Sequence, residues 1–380
     1  MISRNHSTRG GASICKAMTV ALLASAGVTP GIGGCAHSDT AMEREMALKA
    51  QQMMLPAELS TEMRNVLVKQ EELGPKPIEN LTPAEARLQP TVADGVMKLL
   101  RDTGKTTAPE DVGSIVNRTL RTDVGEIPVR VYTPKGGSNF PVVVYFHGGG
   151  FVIATIDTYD SSARALCNAA NAIIVSVEYR KAPEYTFPAQ VDDAYAAYTW
   201  VRTNANQING DSQRIAVAGE SAGGNLATVV CMRAAEEGTM VPIQQVLIYP
   251  VVDGDMTRPS YLKWANAKPL NKAMMQWFFG HYLRSAADGN DPHAAPLKST
   301  LLAKMPPTTI VLAEVDPLNS EGHAYAEALR GAQVHVNERE FKGTAHEFFG
   351  AGAAVPQAKD AVNYVASDLR NAFAKKAPVR

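Results

Sequence analysis

Cysteine is scarce in this sequence: four in 380 residues, at positions 15, 35, 167 and 231. No two stand in CxxC spacing, so neither a disulfide framework nor a Cys-based zinc site is expected. HExxH is absent and the 8 histidines are scattered, which leaves a metal mechanism without sequence support. An excess of either charge is missing too, with 37 Lys and Arg against 38 Asp and Glu. A chain without clustered positive charge is a poor partner for a phosphate backbone, so nucleic acid is not expected to bind. At 45% hydrophobic and 20% charged residues the composition is globular, which excludes a disordered chain. The length allows one large domain or two ordinary ones, with a sizeable core either way.

The one apolar run of note, Ala17–Val28, is too short to span a bilayer and about as long as a signal-peptide core. Arg4, Arg9 and Lys16 precede it, and no acid occurs before Asp39. Residues 1–40 therefore read as an export leader. Two cleavage patterns are present. Ala24-Ser25-Ala26 fits the small-x-small site of ordinary signal peptidase. Ile32-Gly33-Gly34-Cys35 resembles a bacterial lipobox, whose Cys is lipidated and anchors the mature chain to a membrane; Gly33 is unusual there. The expected location is periplasmic, secreted or lipid-anchored. Cys167 and Cys231, in apolar helical contexts, are expected to be free buried thiols.

From 41 to 113 the chain reads as a helical segment, with apolar periodicity at Met46, Ala47, Ala50, Met53 and Met54 and a helix start at Thr82-Pro83-Ala84-Glu85. From Ser114 short β-rich runs alternate with longer helical ones. Strands are predicted at Ile127–Thr133, Val142–Phe146, Ile173–Glu178, Ile215–Ala218, Gln245–Tyr249, Thr309–Glu314 and Val334–Glu340. Helices are predicted near Ser161–Ala170, Pro188–Thr203, Ala222–Glu236, Ser320–Gly331 and Gln357–Ala374. This alternation implies an α/β domain over 114–380, with a mostly parallel sheet flanked by helices. An insertion at about 257–301, helical over Lys272–Leu283, interrupts it.

Gly219-Glu220-Ser221-Ala222-Gly223 carries the strongest chemical signal. A strand runs into it and a helix leaves it, the context of a nucleophile elbow rather than an ordinary glycine-rich turn. Glycines at 219 and 223 relieve crowding around a strained serine. Upstream, His147-Gly148-Gly149-Gly150 follows a strand directly. Its unshielded N–H groups suit a developing oxyanion, with Gly148 and Gly149 as donors and the Ala222 N–H as a third. No GxxxxGK[ST] or helix-opening GxGxxG supports a phosphate loop instead. His147 reads as a structural residue of that loop. The serine needs a base and the base an orienting acid. His346, in a loop after the last strand, is the candidate base; His335 reads as mid-strand, His323 as helical, and His281 and His293 as part of the insertion. For the acid, Asp316 and Asp253 both follow strands, and Asp316 is preferred. The chain order Ser221, Asp316, His346 is then that of α/β-hydrolases.

With these motifs the sequence resembles the hormone-sensitive-lipase-like family of α/β-hydrolase esterases, over roughly Val131 to Ala366. Tyr179-Arg180-Lys181-Ala182-Pro183-Glu184 with Phe187-Pro188-Ala189 is similar to that family's Y-R-x-A-P-E-x-x-F-P-A segment, and Asp316-Pro317-Leu318-Asn319-Ser320-Glu321-Gly322 to its D-P-L-x-D-E-G motif. Ser320 and Glu220 stand where the family usually has Asp, which bears on substrate detail and not on the three candidate catalytic residues. Tyr179, Arg180 and Glu184 are expected to brace the loops. The resemblance implies an α/β-hydrolase fold with a helical cap, built here from the N-terminal segment and the insertion. It implies a serine carboxylesterase acting on small-molecule esters of short to medium chain through an acyl-enzyme, with no cofactor. An amidase or lactonase would use the same residues. A non-catalytic ligand-binding homologue, of the kind the plant gibberellin receptors represent, would lack the histidine that His346 supplies. The cluster Met274, Met275, Trp277, Phe278 and Phe279 is expected to be either an apolar substrate pocket or the packed face of a helix.

Overall fold

The computed structural model describes residues 55–374. The leader, both cleavage patterns, the early methionine periodicity, Cys15 and Cys35 lie outside these residues. Eight strands form one sheet in the order β1-β2-β4-β3-β5-β6-β7-β8. They are β1 (Ser114–Thr122), β2 (Gly125–Thr133), β3 (Phe140–Phe146), β4 (Ile173–Val177), β5 (Gly210–Glu220), β6 (Gln245–Ile248), β7 (Thr308–Val315) and β8 (Val336–Ala345). The β1–β2 and β2–β4 pairings are antiparallel and the remaining five are parallel.

The central strands are apolar on both sides because helices cover both faces. Every residue of β3 and β4 is buried. Val142 and Val144 join the core on one face, Val143 and Tyr145 the core on the other. Each fully buried valine contributes about 1.5–3 kcal/mol. The edge strand β1, unplaced by the sequence pattern, is exposed along most of its length, with Leu120 as its one buried residue. A strand that buries so little carries no apolar alternation to detect. At the other edge β8 continues through Lys342–Ala345, so that stretch is strand and not loop, and His335 precedes the strand and is not inside it.

The helices are α1 (Thr61–Glu71), α2 (Pro83–Ala86), α3 (Val92–Asp102), α4 (Asp160–Ala170), α5 (Ala189–Asn204), α6 (Ala222–Glu236), α7 (Pro259–Lys263), α8 (Lys272–Tyr282), α9 (Asn319–Gly331) and α10 (Pro356–Ala374). The expected start of α2 forms a full capping box: Thr82 accepts from the Glu85 N–H, and Glu85 accepts from the Thr82 N–H at 3.0 Å. Cys167 and Cys231 are free and buried.

The N-terminal helices and the insertion meet. Trp277 Nε1 on α8 donates to the Leu81 carbonyl at 3.1 Å, and Lys268 pairs with Glu71 at 2.6 Å. Arg87, just after α2, fastens this layer to the sheet domain. Its guanidinium donates to the carbonyls of Val152 and Ala182, both at 2.9 Å, and to both carboxylate oxygens of Glu184. That planar fork matches a carboxylate and two carbonyls in a way lysine cannot.

Candidate active site

The elbow sits where β5 ends and α6 begins. Ser221 has φ 56° and ψ −118°, a region costly for a residue with a side chain. The surrounding hydrogen bonds hold it there: its N–H donates to Ile248 at 2.9 Å and its carbonyl accepts from Val251 at 3.1 Å. A Cβ on Gly219 would lie 2.0 Å from the Gly223 carbonyl oxygen, and one on Gly223 2.0 Å from that of Phe146. No side chain fits at either position, which is why the turn needs both glycines.

His346 follows β8 directly, and Asp316 follows β7 directly. The imidazole Nδ1 is 2.7 Å from Asp316 Oδ2, and Nε2 is 3.0 Å from Ser221 Oγ. A carboxylate only accepts, so Nδ1 carries the proton and Nε2 accepts from the serine hydroxyl. The other Asp316 oxygen accepts from the Leu318 N–H at 2.8 Å, which fixes the carboxylate. All three side chains are buried. Burial works against the imidazolium, but the carboxylates of Asp316, Glu347 and Glu220 outweigh it and raise the His346 pKa.

The structure separates the remaining candidates. Asp253 is bound by Arg258 at 2.6 Å and points to that partner, not to His346. His323 lies between Glu338 and Glu340, His293 beside Glu236, and His281 against Trp277. His147 is fully buried, 2.7 Å from the Gly148 carbonyl and stacked on Tyr179. Burial pushes its pKa down to about 4, so it stays neutral and structural. Tyr179 donates to the His147 carbonyl at 2.8 Å, and Arg180 grips Asp193. Together with the Arg87–Glu184 pair, these contacts are the loop bracing expected of Tyr179, Arg180 and Glu184.

Gly149 and Gly150 have φ of 98° and 58°, and Gly148 is pressed against the Tyr159 hydroxyl and the Glu220 carbonyl. This glycine turn and the Ala222 N–H, which opens α6, flank Ser221. A cavity of about 730 Å³ is lined by Ser221, His346 and Gly149, by Ile78 of the N-terminal segment, and by Leu270, Met274, Met275 and Phe278 of the insertion. Of the α8 cluster, Met274, Met275 and Phe278 line this cavity, while Trp277 and Phe279 pack against the core. Met275 and Phe278 are buried in the core and also face the cavity.

Two features escaped the sequence. Glu220 accepts from the buried hydroxyls of Tyr145 and Tyr249, and burial pushes its pKa up to about 7. Glu347 accepts from Tyr159 at 2.5 Å. Adjacency of Glu347 to His346 is the only signal the sequence carries for it; Tyr159 is 188 positions away.

A family described as the alpha/beta hydrolase fold matches residues 143–350. The chain is 39% identical over 294 residues to carboxylesterase NlhH of Mycobacterium tuberculosis, covering 74% of this chain and 91% of that protein. It is 33% identical over 272 residues to ethyl acetate hydrolase of Pseudomonas putida, covering 70% and 85%. Among solved structures, a thermostable esterase from Pseudomonas putida superposes with TM-score 0.77 at 31% identity, covering 84% of this chain and 99% of that one. The fold and the elbow thus define an α/β-hydrolase. The chain belongs to the hormone-sensitive-lipase-like esterase family of that fold, as its motifs led us to expect.

Proposed function

We propose that this protein is a serine carboxylesterase acting on short- to medium-chain esters. The observation that carries the reading is the hydrogen-bonded series Ser221–His346–Asp316 at the floor of a largely apolar cavity. Ser221 Oγ attacks the ester carbonyl while His346 Nε2 takes its proton. Asp316 holds the imidazole in the required tautomer and stabilises its cation. The N–H groups of Gly148, Gly149 and Ala222 receive the oxyanion. His346 then protonates the departing alcohol, and later draws a proton from the water that cleaves the acyl-enzyme. Esterases among the similar proteins support an ester over an amide or lactone substrate. Replacing Ser221 by alanine tests the reading: nitrophenyl-butyrate hydrolysis should fall by roughly 10⁴–10⁶-fold in kcat with the fold intact. Near-normal turnover by that variant would sink the mechanism. We further propose that residues 1–40 direct export, on the strength of the basic residues before the apolar run Ala17–Val28.

A further inference from the structure

The mechanism above uses one carboxylate, Asp316, yet three acidic side chains surround His346. Asp316 faces Nδ1 from the loop after β7. Glu220 lies beneath, capped by the hydroxyls of Tyr145 and Tyr249, and the Tyr249 ring stands 4.5 Å from the imidazole. Glu347 is on the opposite side from Asp316: its Oε1 is 3.9 Å from His346 Nε2, the nitrogen that bonds Ser221 Oγ. It also lines the cavity.

Glu347 is not loosely placed. Its backbone has φ 66°, the left-handed region that side-chain-bearing residues seldom adopt. The Tyr159 hydroxyl donates to Oε1 at 2.5 Å. That hydroxyl is itself wedged against Gly148, where a Cβ would meet it at 2.3 Å. The contact therefore ties the His346 loop to the glycine turn that flanks Ser221.

We propose that Glu347 is a positioning residue for His346: held by Tyr159, its carboxylate stabilises the imidazolium from the Nε2 side during acyl transfer. This inference rests on the esterase reading. When the bond from Ser221 Oγ to the ester carbon forms, the carbonyl electron pair moves to the oxygen and the serine proton moves to Nε2. The imidazole then carries a full positive charge between two carboxylates, one at each nitrogen. Asp316 meets it through a hydrogen bond, Glu347 through space at a distance where charges in a partly buried site still interact strongly. Burial, with the Asp316 carboxylate adding to it, raises the pKa of Glu347, and the imidazolium and the Tyr159 hydroxyl offset only part of that rise.

The experiment is the pH profile of kcat/KM on a soluble nitrophenyl ester for the wild type, Glu347→Gln and Glu347→Gly, with Ser221→Ala as the inactive control. Gln keeps an acceptor for Tyr159 and removes the charge. Gly removes the side chain and suits φ 66°, so it provides a folded variant if Gln does not. The base acts in its neutral form, and loss of a nearby negative charge lowers its pKa. The acid limb should therefore move to lower pH by about half to one unit, with kcat on the plateau reduced roughly tenfold. An acid limb that coincides with the wild type in the folded variants overturns the proposal, even if kcat falls, because a purely structural tether would leave the ionisation unmoved. A wild type that hydrolyses no ester, or a Ser221→Ala variant that still does, would overturn the esterase reading instead, and with it this inference.

Discussion

Replacing Glu321 by glutamine should make the protein more stable in alkali and leave it almost unchanged in acid. Glu321 lies on α9, five residues after Asp316, and is fully buried. Its Oε1 accepts from the backbone N–H groups of Val252 and Asp253, at 2.8 and 3.2 Å, and its other side faces Tyr261. Burial, with the Asp253 carboxylate adding to it and the two N–H donors opposing, pushes its pKa up to about 8 from 4.5. A carboxyl whose pKa rises on folding holds its proton more tightly in the native state. Its stabilising effect is thus complete below pH 4.5 and is lost as pH climbs to about 8. At about 1.4 kcal/mol per pH unit, the loss across that window is about 4–5 kcal/mol. Glutamine keeps an acceptor toward the two N–H groups, is neutral like the protonated acid, and does not titrate. For a domain of roughly 320 residues, the difference corresponds to about 5–8 °C in Tm at pH 9. Thermal melts of both proteins at pH 5, 7 and 9 read it directly. A Tm difference that is the same at all three values, or a glutamine variant less stable at pH 9, would refute the argument that charging Glu321 is what costs stability.

Three further outcomes are expected. Gly223→Ala should yield little folded protein, because its Cβ would sit 2.0 Å from the Phe146 carbonyl oxygen and backbone must move to admit it; soluble yield and a urea melt check this, with a loss above about 3 kcal/mol anticipated. Across nitrophenyl esters, kcat/KM should rise about fourfold per methylene, since each buried CH₂ contributes about 0.8 kcal/mol, until the cavity is full. Phe278→Ala, which removes a ring from its wall, should move the maximum to a longer chain, and an unchanged profile would show that this ring does not limit the acyl group. If residues 1–40 direct export as proposed, mass spectrometry of the native protein should find a mature N-terminus at a lipidated Cys35; a start at Gly27, or an unmodified Cys35, would reject the lipid anchor.

The local chemistry of this protein is written in contiguous residues. Gly219–Gly223 and His147–Gly150 are short stretches whose glycines are required by the very turns they form, so the elbow and the glycine loop were readable in the linear chain. The same holds for the central strands: Val142–Val144 and Ile173–Val175 are apolar at every position because both faces are buried. Asp316 could be preferred to Asp253 from order and motif, and in the folded chain Asp316 lies 2.7 Å from His346 Nδ1 while Asp253 pairs with Arg258. The edge strand β1 left no trace, since exposure on most of its length removes the apolar pattern that marks a strand. Residues that act across long loops are silent in the chain for a different reason. Tyr159 meets Glu347, and Arg87 meets Glu184, through contacts 188 and 97 positions apart. Turn geometry and hydrophobic period are set by neighbours a few residues away, so sequence alone determined them. Partner choice among buried charges depends on which side chains the sheet and the helices around it bring within hydrogen-bonding distance, and only the folded chain decides that.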